Sequence, residues 1–471
     1  MKIMLQRKRL TGIALAPLAL GLLLLAGCLE KTLLWSPDGS RAAVIGQGGL
    51  YLCDAEGKLS ALLVPGVYRA AWLGDSQQLI LAREQKATSW SEIARALGAD
   101  AARAVITHAE SIWEKSQTGG LWSVLAMEIG GKERTKLAKI YLRERYGEAL
   151  RAKVNAGEWA DIKSTEVGIH ELVMARIENG KITTGTLLHE GLGKVREIRV
   201  APGDRAVAFV AETFLTSEGK GEDDLQLRLA RVNGTGATPV AAHVAAFPDW
   251  TPDGRSLVYV QAMSGSSKDD LRLGALVQRE VLDAGGTVTV KEEKKELAGW
   301  IFSDNSRVRC LRDGRILFNA AEISLPIAAE DYGEQHEQLF AADPARLATL
   351  VRLIPRKQED KLPPTLAFFE VSPDEKQVLF GWVDGTVSLL TMASGEVDQV
   401  QKGIKEEGLQ GQPVWRTDGE FSYPRRAKAK DGQKPARAAE IVLRRSDKDV
   451  AVLSAGWPDD FLKQVVGDKK K

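Results

Sequence analysis

The feature that most limits what this chain can become is a short turn motif that keeps returning. Trp35-Ser36-Pro37-Asp38-Gly39 precedes Ala42-Ala43-Val44-Ile45, and Trp250-Thr251-Pro252-Asp253-Gly254 precedes Leu257-Val258-Tyr259-Val260. Val371-Ser372-Pro373-Asp374 leads to Val378-Leu379-Phe380, and Trp415-Arg416-Thr417-Asp418-Gly419 leads to Phe421-Ser422-Tyr423. Looser copies at Trp72-Leu73-Gly74-Asp75, Val200-Ala201-Pro202-Gly203-Asp204 and Leu311-Arg312-Asp313-Gly314 bring the total to seven. In each, Pro presets φ, Asp caps the turn and Gly accepts positive φ, so a copy reads as strand, tight turn, strand. A second hairpin follows several copies, at Leu50 to Val64, Leu172 to Leu188, Leu225 to Val240 and Val387 to Val400. Four strands repeated about seven times describe the blades of a β-propeller. The expected class is mainly β, a seven-bladed propeller, with six to eight blades compatible. Blades are expected near residues 29–66, 67–192, 194–242, 243–298, 299–361, 363–402 and 410–455.

At these residues the chain resembles the TolB-type propellers, whose repeat pairs Trp-Ser-Pro-Asp-Gly with a strand and a further hairpin. The resemblance covers most of residues 28–471, with four good copies and three degraded ones. It implies the fold, and leaves function open among envelope scaffolds, sensor domains and peptidase-gating propellers.

One unit is far too long for a blade. Between Leu81 and His170 the alternation gives way to a helical pattern. Ser89-Trp90-Ser91-Glu92 reads as a capping box, Ile93 to Trp113 as an amphipathic helix interrupted at Gly98, and Lys132 to Val154 as a second helix. A helical insertion over residues 88–166 is therefore expected between the second and third strands of blade two. The same connection is long in blades three, four, five and seven, which decorates one face of the ring and leaves the other plain. Glu218, Glu222, Asp223, Asp224, Asp269, Asp270, Glu330, Asp331, Glu334 and Glu337 make three of these loops acidic. Arg425, Arg426, Lys428 and Lys430 make the last one basic, and Lys139 and Arg143 lie on the basic second helix of the insert. These six cations are the candidate interaction residues, for an acidic partner or anionic headgroups, with a solvated face as the plain alternative.

The N-terminus carries Lys2, Arg7, Lys8 and Arg9, an apolar run to Leu25, and Leu25-Ala26-Gly27-Cys28. A basic segment, a short apolar segment and small residues before a cut form a signal peptide over residues 1–27. The last four residues resemble the bacterial lipobox, which implies cleavage before Cys28 and acylation there, so that Cys28 attaches the protein to a lipid bilayer. Leu29 in place of Asp implies, by the enteric sorting rule, an outer-membrane position facing the periplasm. Cleavage removes four cations and no anion, turning the formal charge from +1 to −3. Near-neutrality argues against a nucleic-acid partner.

The search for chemistry is mostly empty. The five histidines are scattered, and Cys53 and Cys310 fall in different expected blades without metal-ligand spacing. No phosphate loop or nucleophile elbow occurs, no cofactor is expected, and the sequence leaves no stretch for an appended hydrolase domain. The first reading is a non-enzymatic, membrane-anchored envelope lipoprotein whose propeller is an interaction scaffold for an envelope protein or the cell wall. The alternatives are a glycan- or peptide-processing enzyme using acidic loop residues such as Asp224 and Asp270, and a module binding a small ligand or cation.

Overall fold

A computed structural model describes residues 32–46, 48–118, 132–214, 224–234, 236–268, 271–284, 286–303, 306–321, 337–345, 350–354, 365–403, 411–427 and 439–466. Its strands form seven antiparallel sheets, the blades of a seven-bladed propeller. Blade one is β1 (Leu33–Trp35), β2 (Arg41–Gly46), β3 (Gly49–Asp54) and β4 (Val64–Pro65). Blade two is β5 (Val67–Trp72), β6 (Gln78–Ala87), β7 (Val167–Glu178) and β8 (Lys181–Gly191). Blade three is β9 (Val195–Val200), β10 (Ala206–Thr213), β11 (Asp224–Arg231) and β12 (Ala237–Ala241). Blade four is β13 (Val244–Trp250), β14 (Ser256–Lys268), β15 (Leu271–Ala284), β16 (Thr287–Val290) and β17 (Lys295–Ser303). Blade five is β18 (Val308–Cys310), β19 (Ile316–Ala320), β20 (Gln338–Ala342) and β21 (Leu350–Ile354). Blade six is β22 (Leu366–Val371), β23 (Gln377–Trp382), β24 (Val387–Thr391) and β25 (Val397–Gln401). Blade seven is β26 (Val414–Thr417), β27 (Glu420–Arg426), β28 (Ala439–Arg445) and β29 (Lys448–Val452).

The expected break between blades four and five, at residue 299, falls inside β17. Leu271 to Gln278 of the long β15 pair with β17, and its second half pairs with β16, so Phe302 belongs to blade four. Continuous apolar character across Leu297 to Phe302 looks like a fresh blade in sequence, because a fifth strand has no turn motif of its own.

Strand alternation explains the packing. Within β10, Ala206, Ala208 and Val210 face blade four, whereas Val207, Phe209 and Ala211 face blade two. Both faces of a blade are thus dry, and the middle strands read as unbroken apolar runs. One apolar cluster fills each of the seven seams, from Ala43, Leu50, Leu79 and Leu81 between blades one and two to Leu379, Trp415 and Phe421 between six and seven.

The turn motif also binds blades to one another. The indole of Trp72 donates to the Leu34 carbonyl at 2.9 Å, Trp250 to Arg199 at 3.0 Å and Trp415 to Glu370 at 3.1 Å, in each case a first-strand carbonyl of the preceding blade. Where Gly is missing from the motif, the chain still takes positive φ, at Ser76 (57°), Asp204 (56°) and Glu375 (60°). Those three side chains are acceptors for the preceding turn: Asp38 N–H donates to Ser76 Oγ at 3.1 Å, Gly74 N–H to Asp204 Oδ2 at 2.8 Å and Arg312 N–H to Glu375 Oε2 at 2.8 Å. Loss of glycine costs backbone strain and supplies an inter-blade hydrogen bond.

Blades one and seven share no strand among the described residues, so side chains close the ring. After β29 the chain makes a 3-10 turn (Leu453–Gly456) and the helix Asp459–Val466, which return to blade one. Trp457, Phe461, Leu462 and Val465 pack with Leu33, Val44 and Cys53. The Trp457 indole donates to the Gly57 carbonyl at 2.8 Å, and Trp35 donates to Ser422 Oγ across the same seam at 3.0 Å. Gly57 takes φ +94°, and a Cβ there would lie 2.2 Å from the Leu453 carbonyl oxygen, so only glycine lets the clasp approach.

Two outcomes follow. Trp457→Ala should lower stability by ~3–5 kcal/mol, read from the chemical-denaturation midpoint, because a fully buried indole and its hydrogen bond are lost at the seam. Glu375→Ala should cost about 1–2 kcal/mol, whereas Glu375→Gly, which loses the same acceptor but relieves the positive φ, should stay within ~0.5 kcal/mol of wild type.

Candidate functional site

Among the described residues between β6 and β7 stand four helices, α1 (Trp90–Leu97), α2 (Ala99–Ser116), α3 (Lys132–Arg151) and α4 (Ala156–Ser164). Antiparallel alternation places them on the face opposite the turn motifs. Gly98, with φ 81°, ends α1 where the sequence suggests an interruption. The expected capping box at Ser89 does not form. Ser89 Oγ meets Ser91 Oγ, and a different first-turn donor, the Trp90 N–H, is held by the Glu144 carboxylate at 2.7 Å. The capping box in the insert is Asn155 with Glu158, each side chain accepting from the other's backbone N–H, and it starts α4, a helix the apolar periodicity did not reveal.

The insert is bolted to blade two. Ile93, Val105, Leu137 and Ile140 pack on Ala87, Val167, Ile169 and Leu192 at its root, while Ile112, Ala138, Leu142, Leu150 and Ile162 form a separate core. Arg95 grips Glu190 of β8 with two hydrogen bonds of 2.8 and 2.9 Å. Arg143 donates to the carbonyls of Ile162 and Lys163 at the end of α4, both at 2.8 Å, and to that of Thr88 beside the end of β6, at 2.6 Å. Its charge therefore offsets the C-terminal dipole of α4 and ties both ends of the insert together.

Lys139 forms an ion pair with Asp161 at 2.8 Å. Arg425 pairs with Glu440 at 2.6 Å and with Asp449, which hold its charge inside blade seven and raise its pKa against the pull of burial. These three expected interaction residues thus have internal work. Arg426 ends β27, whereas Lys428, Lys430 and Cys28 lie outside the described residues. Of the acidic loop residues, Glu218, Glu222, Asp223, Asp269, Asp270, Glu330, Asp331 and Glu334 also lie outside them. Asp224 is buried and held by the backbone N–H of His243 at 3.0 Å and by its Nδ1 at 2.9 Å. Glu337 is buried too, accepting from Ser306 Oγ at 3.0 Å and from the Asn319 amide. Both carboxylates anchor loop ends. The His189 ring lies tilted against Phe209, and burial pushes its pKa down to about 3. Among the described residues no cluster of His, Cys, Asp and Glu is arranged to hold a metal, and no helix is long and apolar enough to cross a membrane.

A second constellation lies at the axis, and the sequence reading did not single it out. The first strands of successive blades touch one another, which makes them the innermost ring. The residue one place before the motif's first position is Arg199, Asp249 and Glu370 in blades three, four and six; Arg309, one place before Cys310, holds the equivalent position in blade five, and two places earlier stand Arg69, Glu197 and Arg307 in blades two, three and five. Arg199 lies 2.8 Å from Glu197, which Arg69 also approaches at 3.5 Å. Arg309 lies 3.4 Å from Glu370 and 4.0 Å from Asp249. Burial and the charge of Arg309 lower the pKa of Arg199. Burial also opposes charge on Arg309, but Glu370, Asp249 and Glu197 outweigh it and raise its pKa. Arg307 is 6% exposed, faces Phe247 at 5.9 Å, and burial brings its pKa down to about 10. Four guanidiniums thus meet three carboxylates. Charged residues at fixed offsets from a repeated turn, inside otherwise apolar strands, were the available signal.

No family model and no curated protein matches the chain. Solved structures do. An oligogalacturonate lyase in complex with manganese is 9% identical over 88% of this chain and 87% of its own, with a TM-score of 0.46. Kuenenia stuttgartiensis hydrazine synthase is 13% identical over 78% and 79%, with a TM-score of 0.40. A puromycin hydrolase is 14% identical over 61% of this chain and 43% of its own, with a TM-score of 0.42.

Arg143→Met should loosen the root of the insert without unfolding the ring. Hydrogen exchange should show the opening free energy of the α4 amides falling by ~2 kcal/mol, with those of blade six unchanged.

Proposed function

We propose that this chain is a non-enzymatic lipoprotein of the bacterial envelope, held to the outer membrane by acylated Cys28, with its propeller acting as a scaffold for an envelope partner. The lipobox-like Leu25-Ala26-Gly27-Cys28 and the TolB-like repeat support the anchor and the setting. The observation that carries the scaffold reading is the fixed helical insert. Arg143, the Arg95–Glu190 fork and two apolar cores hold it in one orientation on the decorated face. A body ordered in advance does not lose that entropy again on docking. Half-buried Trp113 and Tyr146 stack at 4.3 Å beneath Lys153 and Arg145, giving the insert aromatic and cationic groups suited to an acidic protein surface.

The blade itself permits a clean test. Ala87 and Val167, on either side of the insert, are register partners in the β6–β7 ladder, so a two-residue Asn-Gly hairpin can replace residues 88–166. Affinity capture of the full chain from cross-linked membranes should return one envelope protein reproducibly, and the hairpin variant should lose it by tenfold or more. Equal capture by both forms would refute the insert as the docking element. Cys28→Ala should move the folded protein to the soluble fraction, and persistent membrane retention would refute the anchor.

A further inference from the structure

We propose that the charged ring at the propeller axis is a binding site for a small monocarboxylate, with Arg307 as its principal contact. The proposal does not depend on the scaffold reading. Three of the four axial arginines have carboxylates within ion-pair distance, Arg69 and Arg199 at Glu197, and Arg309 at Asp249 and Glu370. Arg307 has none. Its Nε and Nη1 are buried without a hydrogen-bond partner, and its nearest charged neighbours leave the ring one positive charge in surplus among the described residues. An unpaired buried guanidinium is costly, and a fold that retains one gains from an incoming acceptor.

The ligand class follows from charge and shape. A single surplus charge matches a monoanion, while a dianion would face Glu197, Glu370 and Asp249 with no cation left to balance its second charge. The planar guanidinium fork fits the two oxygens of a carboxylate. The Phe247 ring beside Arg307 offers an apolar surface for the carbon body of the ligand. Solvent reaches the ring, because the side chains of Arg199, Asp249, Arg309 and Glu370 keep 11 to 19% of their surface.

The test is thermal unfolding of the full-length chain in detergent, titrated with sodium acetate, sodium benzoate, sodium phosphate or sodium chloride at constant ionic strength. A carboxylate should raise Tm saturably, by a few degrees at about a hundredfold excess over Kd, with phosphate and chloride giving less than half that shift. Arg307→Met should abolish the response and leave the ligand-free Tm equal to or above that of wild type, since a buried unpaired charge has been removed. Arg307→Lys, which keeps the charge but loses the fork, should weaken carboxylate binding at least tenfold and covers the case in which the Met variant does not fold. The proposal is overturned if wild type shows no saturable carboxylate response, if phosphate or chloride shifts Tm as much, or if the Arg307 variants respond like wild type.

Discussion

Every blade of this protein is apolar on both faces, and the rest of the structure depends on covering both. For the inner blades the neighbours in sequence provide the cover. For the first and last blades the requirement can be met only by their finding each other, since each sheet is built from a continuous stretch of chain. The solution is a side-chain clasp: Trp457 and Phe461 close over Cys53 and Val44, with Trp35 bonded to Ser422 beneath them. Burial of this kind is worth a few kcal/mol per large side chain, so closure rests on a handful of residues and not on a shared hydrogen-bonded ladder.

The fold was largely legible because the turn chemistry is local. Pro, Asp and Gly act within one turn, so seven copies mark seven blades whatever the tertiary context. The reading failed where local patterns carry no such mark. β17 adds a fifth strand without a turn motif, and the last helix packs on blade one by long-range contacts that no periodicity predicts. Ser89 has the right neighbours for a capping box, yet its hydroxyl meets Ser91 Oγ, and the first N–H of the helix, that of Trp90, is held by Glu144, more than fifty residues away in the chain. In sequence the tryptophans belong to the turn motif. Their indoles in fact reach the previous blade, a role visible only once blades are set side by side.

Candidate sites were less legible for a related reason. Basic and acidic residues in long connections draw notice in sequence, but Lys139, Arg143, Arg425, Asp224 and Glu337 are consumed by internal pairing. The axial charges stand in or beside first strands, one or two per blade in blades two to six, separated by forty residues or more in several cases, and look like isolated irregularities. Only the ring brings Arg199, Arg309 and Glu370 together. Burying so many ions is expensive, and hydrophobic replacements would pack at least as stably, so stability gives no reason to keep them.

The clasp has a consequence for the order in which the molecule can be assembled. Six seams join blades adjacent in the chain, so each can form soon after its second blade is complete. The seventh brings Trp457 to Gly57 and must wait for nearly all of the chain. Until then the outer faces of blades one and seven are both wet and apolar, and a loop of about four hundred residues has to be drawn shut against its entropy. The slowest productive step is therefore circular closure at one predetermined seam, and the open ring is the species most exposed to aggregation.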